Sequence, residues 1–596
     1  MVNNIRGYRV VQRILSCLFV IGSSYIYGQY DFYERNYLEP DMDTVYFNMR
    51  SGTRHIDSLD ISYYNLNPSL FNNGRGYLPE YRELKDWGTY RHLFADERVT
   101  YKAKHHFTAL PYVGFFYSFG GGGDQVMDLR YIHNLTEKIN LSFRYHRSAD
   151  NGQMRGTRVD NNELSLKLSY IGQRFRSYGD GYYAFDNYME NGGISETQTL
   201  EPFTIDIFQT NKTDATVRVK RANITIKNFL SIGKDSLSPW NLYFSPSFHT
   251  YHRRFEELNL SPELQATANY SSTYTTDNFQ EPHLLLDAGI LFSKKRFKFS
   301  AGYVYDYWLF TNHSNRFSGV DNYLVSAIKW EFGKFHFTND FRFFITGNPF
   351  EFRDNAKLTY HFSEKSRVGA ELLIENYFIE PFQMRYSANH FDWQNDYAGS
   401  TPTNRLFGEV FYEFRGKQKV RIDIRQLVIN NQYVFQNGDW APSGVTQSVF
   451  TPRLTGELRF GKFVSQSNLE YFVSNKAVIQ HPDYRIRTRF LLDTPLFKAK
   501  RLLVATGVEV NYVSDYRVVS YIPELGVYHY GNNTENFKFN PLQLDFFINL
   551  QADRFRFFIQ ANGLNNFWDS SPRFNAESHP VRPFFMRLGL CWDFVN

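Results

Sequence analysis

Apolar and polar residues alternate along much of this chain with a period of two. In "RFKFSAGYVYDYWLF" (296–310), Phe297, Phe299, Ala301, Tyr303, Tyr305, Tyr307 and Leu309 take the odd positions. Arg296, Lys298, Ser300, Gly302 and Asp306 take the even ones. "KVRIDIRQLVI" (419–429) sets Val420, Ile422, Ile424 and Val428 against Lys419, Arg421, Asp423 and Arg425. "PLQLDFFINLQ" (541–551) repeats the pattern, and "DYRIRTRFLL" puts Arg485, Arg487 and Arg489 on one face. In "FHFTNDFRFFI" (335–345), Phe335, Phe337, Phe341, Phe343 and Ile345 oppose His336, Thr338, Asp340 and Arg342, while Asn339 and Phe344 break the rule. Successive side chains of a strand point to opposite faces, so each segment predicts a strand with one greasy and one watered face.

Two features separate these strands from those of a soluble sandwich. They run to ~10–14 residues, whereas ~9–11 tilted residues cross a hydrocarbon layer and soluble strands are commonly shorter. The connections also alternate in length. "EFGKFHF" and "LRFGKFV" give two-residue turns at Gly333–Lys334 and Gly461–Lys462, with glycine first as a type II′ hairpin requires. "FSKKRF", "FRGKQK", "LFKAKR" and "QADRF" are further tight turns. Long polar links lie between them, at 189–214, 255–280, 381–402, 515–540 and 565–582. The expected fold is all-β: a transmembrane, antiparallel, up-and-down β-barrel of about 22 strands, within a range of about 16 to 24. The strands begin at 107–119 and end at 583–594, so the barrel occupies 107–596. Closure is obligatory, because an open sheet edge in hydrocarbon leaves backbone polar groups unpaired. Residues 29–106 alternate poorly and read as a short irregular N-terminal extension, periplasmic or folded into the lumen.

Composition sharpens this reading. Aromatic residues make up 18% of the 596, yet mean hydropathy is −0.47, so apolar residues are interleaved rather than gathered into runs. The longest run, "ILSCLFVIG", is too short for a helical span of ~20 residues. It follows Arg6, Arg9 and Arg13, which makes residues 1–28 a secretory signal with cleavage near Gly28–Gln29. Without those arginines the formal charge falls from +5 to +2, which argues against a nucleic-acid partner. Cys591 is then the lone cysteine, which excludes a disulfide framework and a multi-cysteine zinc site. The last strand, "PFFMRLGLCWDF", ends in aromatics as substrates of the barrel-assembly machinery do, so that machinery and outer-membrane lipid are expected partners.

The leader ahead of a glutamine, the tyrosine-rich segment after it and "LPYVGFFYSFG" (110–120) have counterparts elsewhere. So do "INLSFRYHRSADNGQMRGTRVDNNELSLKLSY" (139–170), "ENGGI" (190–194) and the terminal strand. Together they resemble the putative porin family of Bacteroidota-type bacteria. The resemblance implies a barrel in the outer membrane of a Gram-negative bacterium and passive transport, with no catalytic residues to carry over.

Candidate chemistry lies on the watered face. The pore-lining candidates are Arg144, His146, Lys167, Arg218, Lys220, Arg296, Lys298, Asp306, Arg342, Arg421, Asp423, Arg425, Arg485, Arg487 and Arg489. Basic residues outnumber acids here, and rings of one sign select ions of the other. Pairing with Glu163, Glu457 and Glu470 would instead simply fill the interior. Tyr307, Trp308, Trp330 and Trp592 read as interfacial anchors. "FGGGGD" (119–124) lacks the Lys-Ser/Thr of a phosphate loop and reads as a turn. His105 and His106 are adjacent and point apart, which suits no metal. No G-x-S-x-G, H-E-x-x-H or C-x-x-C occurs, and neither an enzyme nor a cofactor is expected. The expected function is a water-filled porin for passive diffusion of small polar or anionic solutes. The alternative is a non-transporting barrel subunit of a secretion, uptake or assembly complex, as a homo-oligomer or an accessory subunit. An energy-coupled transporter is disfavoured, since only residues 29–106 precede the barrel to form a plug.

Overall fold

The computed structural model describes residues 42–44, 84–87, 94, 105–108, 110–152, 155–194, 209–233, 238–260, 268–346, 351–395, 400–498, 501–529, 542–568, 574–580 and 584–595. The proposed signal, 1–28, lies outside the described residues.

Twenty-two antiparallel strands form one closed wall. They are β1 (Tyr112–Gly120), β2 (Gln125–Asn134), β3 (Ile139–Asp150), β4 (Val159–Ile171), β5 (Phe175–Glu190) and β6 (Ala215–Ser231). Next come β7 (Trp240–Glu257), β8 (Thr275–Lys294), β9 (Phe297–Asn312), β10 (Arg316–Phe332), β11 (Phe335–Thr346) and β12 (Phe352–His361). β13 (Ser366–Tyr377), β14 (Thr403–Arg415), β15 (Lys419–Asn430), β16 (Thr446–Phe460) and β17 (Phe463–Tyr471, resuming at Val473–Ser474) follow. The wall ends with β18 (Tyr484–Leu496), β19 (Leu502–Val513), β20 (Leu542–Ala552), β21 (Phe555–Asn562) and β22 (Phe585–Val595). β22 pairs with β1 from Tyr112↔Val595 to Gly120↔Arg587, which removes the sheet edge. Arg587 fastens this seam, donating from Nε to Asp124 Oδ2 at 2.7 Å, with both side chains buried. Asp124 belongs to the "FGGGGD" turn, which closes with Gly120 N–H donating to the Asp124 carbonyl (2.8 Å).

The links alternate as the sequence suggests. One rim carries short turns such as 295–296, 333–334, 461–462 and 553–554; the other carries long links such as 191–214, 378–402, 431–445 and 514–541. Gly333 and Gly461 have φ of +60° and +64° while the lysines after them do not, as a type II′ turn requires. Across the first of these turns Phe332 and Phe335 stack at 5.1 Å. With Trp330 and Tyr360 they form an outward aromatic girdle at the short-turn rim.

The predicted faces of β11 hold, and its irregular residues have a cause. Phe344 points inward and stacks on Tyr323 at 4.7 Å. The register shifts opposite it, between Asn322 and Tyr323, so one residue of β11 is extra. Asn339 faces out and donates to Asp354 (2.5 Å) on the next strand.

Several expectations need correction. The wall begins at Tyr112 rather than 107; His105–Phe107 is a separate short strand, parallel to Met42–Thr44. β15 ends at Asn430, where Asn431 turns the chain with φ +54°. Trp308 is not an outward anchor. It faces the lumen and donates from Nε1 to Asp321 (2.9 Å), and only a glycine at 319 leaves room for its ring. Tyr307, Trp330 and Trp592 do face outward.

Candidate functional site: a filled lumen

The inner face of β14 to β19 carries an ion-pair lattice. Arg421 pairs with Glu409, and Arg453 pairs with Asp423 at 2.6 Å. Arg425 reaches Glu470 at 2.7 Å, and Arg485 reaches the same carboxylate at 2.5 Å. Arg487 and Arg489 share Glu509, at 2.7 and 2.6 Å. Each acid is thus held between two guanidiniums or beside one that an adjacent acid also engages. Inward side chains of neighbouring strands sit ~5 Å apart, which suits planar, fork-like guanidinium contacts.

Elsewhere the pattern repeats. Arg144 and His146 converge on Asp128, at 2.5 and 3.3 Å, and Arg144 also approaches Glu163 at 3.9 Å. Lys167 pairs with Asp180. Asp306 contacts His283 Nδ1 at 3.0 Å, and the other ring nitrogen meets Glu281 at 3.1 Å. Arg342 lies 5.3 Å from the Tyr323 ring. Lys298 lies on the inward face of β9, opposite Lys329. The sequence-based alternative, in which Glu163, Glu457 and Glu470 pair with lumen bases, matches these contacts; Glu457 takes Lys419 at 3.1 Å.

Three candidates lie elsewhere. Arg218 and Lys220 are exposed on the outside of β6, because Val217 and Val219 take its inner face. Arg296 sits in the two-residue turn between β8 and β9, exposed at the short-turn rim. β6 has the same alternation as its neighbours but extends past the lipid-facing band. There its outer face is polar and its inner face apolar, which inverts the pattern that assigned these residues inward.

The inverted inner face has a partner. Val217, Val219, Phe255, Phe279 and Phe310 line the long-loop half of the lumen and are buried beneath infolded links. In link 378–402 a helical turn, Pro381–Met384, leads to the hairpin strands Arg385–Ser387 and Asp392–Gln394. Glu380 and Gln383 cap that turn reciprocally. Phe382, Tyr386 and Trp393 drop into the cluster, joined by Phe435 and Trp440 from the hairpin Tyr433–Gln436/Asp439–Pro442. Asn389 ties this plug to link 258–274: its side chain accepts from the Tyr270 and Ser271 amides (3.2 and 3.0 Å) and donates to the Ser271 and Tyr274 carbonyls (2.8 and 3.1 Å). Link 514–541 is anchored by Lys212, which bridges Glu257 (2.7 Å) and Glu524 (2.8 Å). Burial lowers the Lys212 pKa, but the two carboxylates outweigh it and the net shift is upward.

The N-terminal extension contributes to the same filling. Trp87 is fully buried among Leu373, Leu427, Val449 and Ile479, stacked on Phe472 at 5.7 Å and beside His481 at 5.3 Å. Arg405 holds the Trp87 carbonyl at 3.3 Å, and Lys85 pairs with Glu371 on β13. Phe94 packs against Phe382 and Trp440 and forms a β-bridge to Val527. Toward the short-turn rim, His105 Nδ1 meets Ser169 at 2.6 Å and Nε2 meets Asp180 at 3.3 Å. These described residues of the extension therefore lie within the lumen. Sequence reasoning missed Trp87, Phe94, Glu409, Arg453 and Glu509 as parts of the site. For Trp87 and Phe94 the only hint was the aromatic content of an otherwise polar segment; Glu409, Arg453 and Glu509 lie on the polar faces of alternating strands. Among the described residues, no group of three or more His, Cys, Asp or Glu side chains is arranged to hold a metal ion.

A closed antiparallel wall, apolar outside and charged inside, with short turns at one rim and long links at the other, is the architecture of an outer-membrane β-barrel. A family model described as putative porin matches residues 69–596, and the chain belongs to that family. Solved structures share the fold. BauA, the ferric preacinetobactin receptor from Acinetobacter baumannii, is 12% identical, with 81% of this chain and 80% of that chain covered and a TM-score of 0.54. The FrpB iron transporter from Neisseria meningitidis is 10% identical over 81% and 82%, with a TM-score of 0.57. The ferric-catecholate import receptor Fiu from E. coli K12 is 9% identical over 84% and 85%, with a TM-score of 0.54. At such identities the likeness is one of fold alone. No curated protein matches this chain.

Proposed function

We propose that this protein is an outer-membrane transport barrel of a Gram-negative bacterium, passing small polar solutes by passive diffusion once the segments that fill its lumen move aside. Family and fold favour transport over catalysis. The observation that carries the gated form is Trp87, buried inside the barrel between Phe472, His481 and the inner wall. A polar, ion-paired wall suits hydrated solutes. A strong preference for anions is not favoured, because Arg421, Arg425, Arg485, Arg487 and Arg489 are each beside a carboxylate. Rings of charge select through their net sign, and pairing reduces that sign.

Solute-loaded liposomes test this. Sugars and zwitterionic amino acids should leave vesicles carrying the Trp87→Ala/Phe94→Ala variant faster than vesicles carrying the native chain, with little dependence on solute charge. No flux from either protein at any solute size would overturn the reading. It would favour a non-transporting subunit of a larger complex, the one alternative that a filled lumen also fits.

A further inference from the structure

The two residues displaced from the lumen, Arg218 and Lys220, point to a separate site. Strands β6, β7 and β8 span 17, 18 and 20 residues, well beyond the ~9–11 needed to cross hydrocarbon. Their lipid-facing band ends at one register row, Ile224, Phe248 and Leu284, each strongly exposed. Four residues further toward the long loops lies the row Lys220, His252, Gln280, which continues through Thr311 to Arg316. Two residues beyond that, Arg218 stands directly opposite Arg254, with Asn278 next in the row. Four residues of strand rise ~13 Å, or ~9 Å in height at a tilt of ~45°, which is headgroup level in the outer leaflet.

The charge at this level is unbalanced. Like charges directly opposite on a sheet are destabilising unless an anion sits between them. On the outer faces of β6 to β8, among the described residues, Glu256 is the one acid. It holds Arg254 at 2.5 Å and lies 3.6 Å from Arg218. The neighbouring outward acid on β4, Asp160, is engaged by Arg147 at 2.9 Å. Guanidinium and ammonium groups that remain half-exposed above a greasy band offer the chemistry of phosphate recognition. We propose that Arg218, Lys220 and Arg254 form a binding site for the phosphate groups of a phosphorylated glycolipid in the outer leaflet. The apolar row beneath them would lie along its acyl chains. The site faces away from the lumen and does not depend on solute passage.

The test is lipid retention by the detergent-purified full chain, read by native mass spectrometry and by the shift in heat-modifiable unfolding. The probes are bisphosphorylated lipid A, enzymatically dephosphorylated lipid A and inorganic phosphate. The native chain should retain the bisphosphorylated lipid. It should bind the dephosphorylated form at least tenfold more weakly and show no shift with inorganic phosphate at matched concentration. At roughly fivefold per cation, R218Q/K220Q/R254Q should lose roughly a hundredfold in affinity, while the short-turn control K295Q/R296Q should lose none. E256Q, which frees both arginines, should tighten retention, and it tests the idea even if the triple variant fails to form a barrel. Equal retention of the phosphorylated and dephosphorylated lipids would overturn the proposal. So would unchanged affinity in the triple variant, an equal effect of inorganic phosphate, or an E256Q variant no tighter than the native chain.

Discussion

Replacing Trp87 by alanine should unseat the N-terminal segment from the lumen without opening the wall. Trp87 is fully buried, touches Leu427, Val449 and Ile479, and stacks on Phe472. Truncating a buried Trp to Ala commonly costs ~3–5 kcal/mol, of which ~0.5–1.5 kcal/mol reflects an aromatic pair. No wall strand contains Trp87, so the cost falls on the equilibrium between seated and released segment. That equilibrium should shift by roughly 10²- to 10⁴-fold. The reporter is a cysteine at Leu84, itself 1% exposed, in a Cys591→Ser background. Its labelling by a hydrophilic maleimide samples the released population when reseating is fast. Labelling of L84C/W87A should exceed that of L84C by roughly two to four orders of magnitude, while heat-modifiable gel migration stays the same. Equal labelling rates would refute the reasoning. They would mean that Trp87 adds nothing to the seat, or that the segment is never seated.

Three further outcomes follow from other contacts. His481 is buried beside Trp87, and burial pushes its pKa down to about 4 from 6.5. A released segment that exposes His481 binds the proton first: the seat is intact above pH 6.5 and weakens as pH falls toward about 4, by at most ~3 kcal/mol. L84C labelling should accelerate across that window, and His481→Asn should flatten the response. At the seam, removing one partner of the buried Arg587–Asp124 pair leaves the other charge uncompensated, at a cost of ~3–5 kcal/mol. Arg587→Ala should lower the temperature at which the barrel loses its heat-modifiable migration, and an unchanged temperature would show the seam pair to be dispensable. In Gly319→Ala the new Cβ would stand 2.3 Å from the Trp308 ring. Overpacking of ~1–3 kcal/mol should appear as the same kind of shift, absent in Gly319→Ala/Trp308→Phe if the smaller ring relieves the clash.

The wall was readable from residues because a membrane strand obeys one rule along its whole length. "KVRIDIRQLVI" puts Ile422 and Ile424 outward and Asp423 and Arg425 inward, and β15 does the same. The rule failed where its premise failed. Beyond the hydrocarbon band the outside of β6 reaches a polar zone, so Arg218 and Lys220 go out, while Val217 and Val219 go in to meet the infolded links. The plug itself was not legible. Phe382, Tyr386, Trp393 and Trp440 are buried by contacts between links distant in sequence, and no local period records them. Trp87 and Phe94 were hidden for the same reason. The inward arginines could be read from parity, but their pairing with Glu409 and Glu509 depends on which strands are neighbours and in what register.

The most direct measurement of the central claim is ionic current across a planar bilayer, recorded for the whole chain and for the chain lacking residues 29–106. The whole chain should rest mostly closed, with brief openings that become more frequent toward pH 4. Long, resolved conducting steps should appear once the segment bearing Trp87 and Phe94 is gone. Equal currents from the two proteins, whether both open or both silent, would contradict that claim.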